Sequence, residues 1–354
     1  MTRGVECSTQ PHLSVCGNSD TYRYDCFPIM STSSPRTTPS PTPTHAFQFQ
    51  VGGHAGNMMS TDDDALIIKK ALPRELEFYE TVAASTDPQV DALRPFIPTF
   101  LGTLSLADDV DVSQVAAEPK KESLVLENIV YPFVKPNILD IKLGTVFWDE
   151  DTPPAKKARM IKTAETTTSL ETGARLVGFQ VFDHERGEPV FTPKTYGKSI
   201  TPAQLPEGMA RFFPVATEEA PNQGLPPALL LQILTLLREE IEDLRDAFSA
   251  MEMRMIAGSL LIVYESDAER AEAGIRWLEE EDDDEGDEDE EGEDGTDEPG
   301  GFDNKRKQGP PCDARLIDFA HTKFVPGQGP DDGVLLGLNT VLRLLDGRMT
   351  EIQE

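Results

Sequence analysis

Asp140 and Lys142 stand two residues apart in the stretch Pro136-Asn-Ile-Leu-Asp140-Ile-Lys142-Leu-Gly144. In an extended segment, residues i and i+2 point to the same side, so this acid and this base would face one site. Ile138, Leu139, Ile141 and Leu143 are available to pack around them. An acceptor beside a cation suits phosphoryl transfer: one group takes a hydroxyl proton, the other neutralises phosphate charge in flight. An isolated Asp-x-Lys reads first as a salt bridge among core residues. The surrounding elements therefore matter.

Upstream, residues 47–51 alternate apolar and polar, as a half-buried strand does. Gly52-Gly-His54-Ala-Gly56 follows, then a second predicted strand over 65–70. A glycine-rich turn between strands can lay backbone N–H groups on nucleotide phosphates, or simply close a hairpin. Lys69 and Lys70 end the strand on opposite faces, so only one of them can reach a bound nucleotide. Pro73-Arg74-Glu75 opens a helix. Glu75 is the expected partner of the strand lysine, Glu77 the alternative, although acids in a first turn are also favoured by the helix dipole. Residues 95–106 and 123–129 read as strands joined by a polar loop, 108–121. Glu127-Asn128-Ile129 sits where an apolar run ends.

Downstream, Pro153-Pro154 starts a helix carrying Lys156, Lys157, Arg159 and Lys162. Such a run is ordinarily a solvated helix face. Residues 177–182 read as a strand. Leu230, Leu234, Leu237, Ile241, Leu244, Phe248 and Met251 repeat at steps of four and three, which predicts a long core helix ended by Gly258. Strands are expected at 259–264 and 315–319. Asp331 to Gly333 should cap a last helix over 334–345.

The pattern Pro-x-x-x-Asp-x-Lys-x-Gly, with Ser259-Leu-Leu261 and Ile317-Asp318-Phe-Ala-His321-Thr322 in order after it, resembles the inositol polyphosphate kinase family, and its fungal multikinase branch most. The resemblance implies an α+β fold of two lobes: a protein-kinase-like antiparallel sheet over 46–130 that binds the nucleotide, and a larger α+β lobe over 131–354. A Ser/Thr/Pro-rich disordered tail, 1–45, would precede them, and a disordered acidic insertion, 279–301, would interrupt the second lobe. The implied activity is ATP-dependent phosphorylation of inositol trisphosphate and tetrakisphosphate. A trisphosphate 3-kinase or a hexakisphosphate kinase are the neighbouring activities.

Site roles follow from the same resemblance. Asp140 would orient or deprotonate the attacking hydroxyl, and Lys142 would stabilise the moving phosphoryl group. Lys69, held by Glu75, would bind nucleotide phosphates. Glu127, Asn128 and Ile129 would form the adenine-reading hinge, with the Asn128 side chain on ribose. Asp318 would bind ATP through Mg2+, with Ser259 supporting the metal. Lys157, Arg159, Lys162, Lys198 and His321 would contact the inositol phosphate. Arg175 falls near a further basic position of the family.

Composition sets the remaining bounds. The chain has 354 residues, 38% of them hydrophobic, and a formal charge of −31. Residues 279–298 hold 16 acids and no base, so about half of the excess is local. The balance argues against nucleic acid as a direct ligand. Cys7, Cys16, Cys26 and Cys312 fit no zinc spacing and read as free thiols. No signal peptide is visible, and the longest apolar stretch, 225–237, is too short for a bilayer. A monomer in nucleus and cytoplasm is expected. The acidic run and the Ser/Pro-rich start also suit recruitment of basic partners, so a scaffold for transcription factors, linked through fungal relatives to arginine metabolism, is the non-enzymatic alternative.

Overall fold

The computed structural model describes residues 44–46, 58–61, 63–105, 122–284 and 309–354, all within the unit Thr42–Glu354. The expected strand over 47–51, the glycine-rich turn 52–56, the loop 108–121 and the tail 1–43 lie outside the described residues.

The first sheet has the order β1-β2-β3-β5-β4 and is antiparallel throughout. Its strands are β1 (Thr44–Ala46), β2 (Met58–Thr61), β3 (Leu66–Lys70), β4 (Phe100–Ser105) and β5 (Glu122–Glu127). Between β3 and β4 come helix α1 (Pro73–Ala84) and the short helix α2 (Pro88–Leu93). Pro73 starts α1 at the first helical position, where its missing N–H costs nothing. The strand expected from residue 95 begins only at Phe100, because Arg94–Phe96 forms a 3-10 turn around Pro95.

The second sheet has the order β11-β10-β6-β7-β8. At its centre lies β6 (Pro136–Leu143), between β7 (Ala174–Asp183) and β10 (Ser259–Glu265); β8 (Glu188–Thr192) and β11 (Cys312–Ile317) form the edges. Leu139, Ile141 and Leu143 of β6 point into the main core. Ile138, on the other face, joins a small cluster with Ile129, Val130, Phe133 and Val263 where the two sheets meet. β10 alternates in the same way: Leu260, Ile262 and Tyr264 enter the core, Leu261 and Val263 the opposite side.

A bulge re-phases β7. Asp140 pairs with Gly178 but Ile141 pairs with Leu176, which leaves Val177 as the extra residue. Leu176 and Phe179, three apart, both reach the core for that reason. Arg175 and Gln180 are returned to the face of Lys142 and Ile138, their register partners. Bulges commonly re-aim side chains beside active sites.

Helices α3 (Pro154–Glu165), α4 (Ser169–Thr172), α5 (Lys194–Ser199), α6 (Leu205–Phe212), α7 (Pro227–Ser249), α8 (Ala268–Asp284) and α9 (Asp332–Gln353) complete the second lobe, with a two-stranded ribbon of β9 (Met253–Met255) and β12 (Thr322–Phe324). The heptad-spaced residues Leu230 to Phe248 of α7 are all buried, as the spacing requires. Gly258 does not end that helix. It stops at Ser249, and β9 intervenes. Asp331 caps α9 by accepting the N–H groups of Gly333 and Val334, and the helix runs beyond the expected Leu345 to Gln353. Gly173 and Gly337 let α9 touch the start of β7: a Cβ on Gly337 would lie 2.4 Å from the Gly173 carbonyl oxygen.

The fold is the expected two-lobed α+β arrangement. One boundary moves. The acidic insertion was expected to begin at 279, but α8 continues through Asp284. Residues 285–308 lie outside the described residues. Among the described residues, no helix is long and apolar enough to cross a membrane.

Candidate active site

The central strand β6 places Asp140 and Lys142 on one face, toward the first sheet. Asp140 is 3% exposed. Burial pushes its carboxyl up to about 6; Lys142, Ser259 and Arg175 pull it down, and Asp318 adds to the rise. Ser259 starts β10 opposite Lys142. Its hydroxyl favours the ionised carboxylate, yet the alignment leaves Ser259 Oγ and Asp140 Oδ1 without a full hydrogen bond. Lys142 Nζ donates to the carbonyl of Ala257 at 2.7 Å and lies 4.0 Å from Asp318 Oδ2.

Strand β3 supplies the second lysine. Lys69 is the inward one; Lys70 is exposed. Lys69 Nζ donates to Glu75 Oε1 and to Asp318 Oδ1, both at 2.8 Å. Glu75 is fully buried on α1 and Glu77 is exposed, so the first choice of partner holds. Burial would lower the Lys69 pKa, but the two carboxylates outweigh it and raise it. Burial likewise raises Glu75 against the pull of Lys69.

Asp318 follows β11 with φ of +67°, a left-handed conformation that aspartate tolerates better than most residues. The turn is held by its neighbour. The Phe319 ring stacks on Phe78 of α1 at 4.0 Å and meets Tyr79 edge-on. Burial alone would raise the Asp318 carboxyl; Lys69 and Lys142 overcome it and hold it low. Ala257, which accepts from Lys142, also has positive φ, at +59°. Two such residues at one site fit the tendency of backbone strain to gather where function needs geometry.

A divalent cation fits this donor set. Among the described residues no group of three or more His, Cys, Asp or Glu side chains could cage a metal. Magnesium needs no such cage, since one or two carboxylates suffice when phosphates and water complete the shell. Asp318, with the unpartnered Ser259 Oγ and Asp140 Oδ1 nearby, supplies hard oxygen ligands of that kind.

Other expected residues are placed differently. The Asn128 side chain is committed to the chain itself: Nδ2 donates to the Asp64 carbonyl at 2.7 Å and Oδ1 accepts from Val130 N at 3.1 Å. It shapes the turn between the lobes and, at 2% exposure, is mostly buried beneath it. The Glu127 carboxylate accepts from the Thr99 N–H and hydroxyl, its own N–H donates to the Thr99 carbonyl at 3.0 Å, and Ile129 is buried, which leaves the Glu127 carbonyl and the Ile129 backbone for adenine. His321 Nδ1 lies 2.9 Å from Asp149 Oδ2. Lys157, Arg159, Lys162 and Lys198 are exposed, and none makes an ion pair with a carboxylate among the described residues. Lys157 Nζ sits 5.7 Å above the Trp148 ring, which ties α3 to the segment leaving β6. Lys198 lies on α5, whose Gly197 packs against the Leu176 carbonyl of β7.

Arg175 and Arg74 join the site without having been assigned a role. Arg175 faces Lys142 across the bulged ladder, stacks over Phe147 at 5.8 Å and has its Nε buried without a partner. Arg74 donates to Asp149 at 2.9 Å. Its signal lay only in its place beside Glu75, because Asp149 is 75 residues away.

Removing the cation between Glu75 and Asp318 tests this wiring. Lys69→Met should destabilise the chain by about 3–5 kcal/mol, because it strands a fully buried carboxylate. The loss should be larger at pH 8 than at pH 5, since Glu75 escapes part of it by protonating. Urea titration measures both. Adding Glu75→Gln should recover most of the stability, and a fully additive double variant would contradict the pairing.

Comparison with known proteins shows the family. The family model described as inositol polyphosphate kinase matches residues 123–346. The inositol polyphosphate multikinase of Saccharomyces cerevisiae is 33% identical over 350 residues, covering 83% of this chain and 96% of the relative. That of Schizosaccharomyces pombe is 27% identical over 62% of this chain and 78% of its own. Mouse inositol hexakisphosphate kinase 3 is 28% identical over 68% and 54%. A crystal structure of the S. cerevisiae inositol phosphate multikinase Ipk2 in complex with ADP and Mn2+ superposes with a TM-score of 0.58 at 29% identity, covering 80% of this chain and 98% of that one. From its signature strand to its last helix, this chain belongs to the inositol polyphosphate kinase family.

Proposed function

We propose that the protein is a multikinase, which transfers the γ-phosphate of ATP to hydroxyls of inositol trisphosphate and tetrakisphosphate. The observation that carries the substrate class is α3. This helix buries only Ala164 and exposes Lys156, Lys157, Arg159 and Lys162 without carboxylate partners among the described residues, in a chain of net charge −31. An acidic protein that leaves cations unpaired on the helix that follows its signature strand is arranged for a multiply phosphorylated ligand. The two yeast relatives named as multikinases support the subtype over a hexakisphosphate kinase.

The residues then divide the work. Lys69 holds nucleotide phosphates while Glu75 fixes the lysine. Asp318, with Ser259, would hold magnesium, which neutralises charge on the phosphates when bound. Asp140 takes the proton of the attacking hydroxyl. A carboxyl raised to about 6 is ionised at neutral pH yet basic enough to accept a proton. Lys142, anchored on the Ala257 carbonyl, aims its charge at the phosphoryl group in transfer. The Glu127 carbonyl and the Ile129 backbone meet adenine. Cations of α3, with Lys198 and His321, receive the inositol phosphates.

Isomer-resolved product analysis with ATP and inositol tris-, tetrakis- and hexakisphosphate tests the subtype. Turnover of the hexakisphosphate alone would replace it. The substrate face is tested by Lys157→Ala, Arg159→Ala and Lys162→Ala. Each lost charge-assisted contact should raise KM for the inositol substrate about tenfold to a hundredfold. KM for ATP, bound on the other lobe, should hardly move. If all three leave the inositol constant unchanged, α3 is an ordinary solvated face.

A further inference from the structure

Asp149 is the most heavily used side chain of the segment between β6 and α3, and the mechanism above gives it no role. Its side chain is 5% exposed. Oδ2 accepts from Arg74 Nη1 at 2.9 Å and pairs with His321 Nδ1 at 2.9 Å. Oδ1 accepts from the Thr152 hydroxyl at 2.7 Å, and that hydroxyl oxygen accepts from the Asp149 N–H at 3.1 Å. One carboxylate thus joins α1 of the first lobe, the lead into α3, and the turn between β11 and β12. The Thr152 hydroxyl above all, then His321 and Arg74, hold its carboxyl down to about 2.

These contacts fix more than position. An ionised carboxylate can only accept hydrogen bonds, so His321 must present Nδ1–H to it. The tautomer and the ring plane are set together, and Nε2 is turned away from Asp149. Arg74 is held through Nη1 and keeps a second bond, from Nη2 to Asp151 at 2.5 Å, where Asp151 is exposed. Arg74 also directly precedes Glu75, the residue that fixes Lys69. Asp149 itself is too buried and too fully engaged to meet a substrate that carries negative charge.

We propose that Asp149 is a positioning residue for inositol phosphate recognition, acting through His321, whose ring it orients, and Arg74, which it anchors to the lead into α3. This rests on the kinase reading, in which His321 receives substrate phosphate. Its energetic signature is specific: Asp149 matters to substrate binding only through its partners.

The test uses Asp149→Asn, which keeps shape but loses the charge and one acceptor. In the parent chain, proton NMR should show a hydrogen-bonded Nδ1–H of His321, and Asp149→Asn, whose amide oxygen is a neutral and weaker acceptor, should move that signal upfield. KM for inositol trisphosphate should rise about tenfold with KM for ATP nearly unchanged, and Tm should fall by a few degrees because the fold stabilises the ionised carboxylate. His321→Ala should raise the same constant, and Asp149→Asn/His321→Ala should be little worse than His321→Ala alone. Should Asp149→Asn fail to fold, Thr152→Val frees Oδ1 without altering charge and should move the same constant about twofold to threefold. An unshifted Nδ1–H signal in Asp149→Asn, additive effects in the double variant, or an equal rise of both Michaelis constants would overturn the proposal. A parent chain that turns over no inositol phosphate would instead sink the kinase reading, while the NMR signal still decides what Asp149 holds.

Discussion

Asp140→Asn should abolish phosphoryl transfer and leave the chain more stable than its parent at neutral pH. Both effects have one cause. Asp140 sits on the central strand at 3% exposure, and burial raises its carboxyl from an ordinary 3.8 to about 6 despite Lys142, Ser259 and Arg175. A folded-state pKa above the unfolded one means that ionisation opposes folding. As pH rises from about 4 to about 6, the unfolded chain gives up this proton first, and stability falls by about 3 kcal/mol before levelling off. The neutral amide escapes that penalty. The gain should therefore appear at pH 7.5 and vanish near pH 4. Activity goes the other way, because an amide cannot accept the hydroxyl proton; a drop of about a hundredfold to ten-thousandfold in kcat is expected. Urea midpoints at the two pH values and steady-state kinetics check the pair. A variant less stable than its parent at pH 7.5, or one keeping most of its kcat, would contradict this placement of Asp140.

Asp318→Asn should be as damaging to turnover with far less effect on the fold. Asparagine is among the residues most at ease at the φ of +67° found here, so the turn that sends Phe319 against Phe78 survives. What disappears is the charge. Lys69 and Lys142 hold this carboxyl below its ordinary value against the burial that raises it, so its contribution to stability is present at neutral pH and lost as pH falls through the acid range. With a side chain 35% exposed, that contribution is small. If Asp318 is the carboxylate that would hold the divalent ion in the proposed reaction, kcat should fall about a thousandfold even at saturating magnesium. Normal turnover under those conditions would remove Asp318 from the metal site.

Much of this site was legible in the sequence wherever the determining distance along the chain was short. The two-residue period of a strand is enough to put Asp140 and Lys142 on one face. Lys69 and Glu75 are six residues apart, and a strand followed by a helix beginning at Pro73 brings them together. The heptad spacing from Leu230 to Phe248 specified the buried face of α7 because apolar residues can reach a core from a helix only at that period. Spacing did not reveal the β7 bulge, since Leu176 and Phe179 belong to one face only when Val177 is left unpaired. Nor did charge density mark where the helix ends, because α8 runs on into the acidic run through Asp284.

The rest was decided by strand order and lobe contact. Lys69 and Asp318 are separated by 249 residues, and His321 and Asp149 by 172. Their meeting depends on β10 lying beside β6, on β11 lying beside β10, and on the Phe319 ring docking under α1. Asn128 shows the converse. The resemblance implies a ribose contact for it, but its amide donates to the Asp64 carbonyl in the β2–β3 turn and accepts from the N–H of Val130. Residue types and local periods thus determine which chemistry this chain is capable of and which strand and helix present it. Tertiary structure determines which polar groups are already spent on one another, because a buried donor or acceptor must find a partner, and that partner is chosen by the fold.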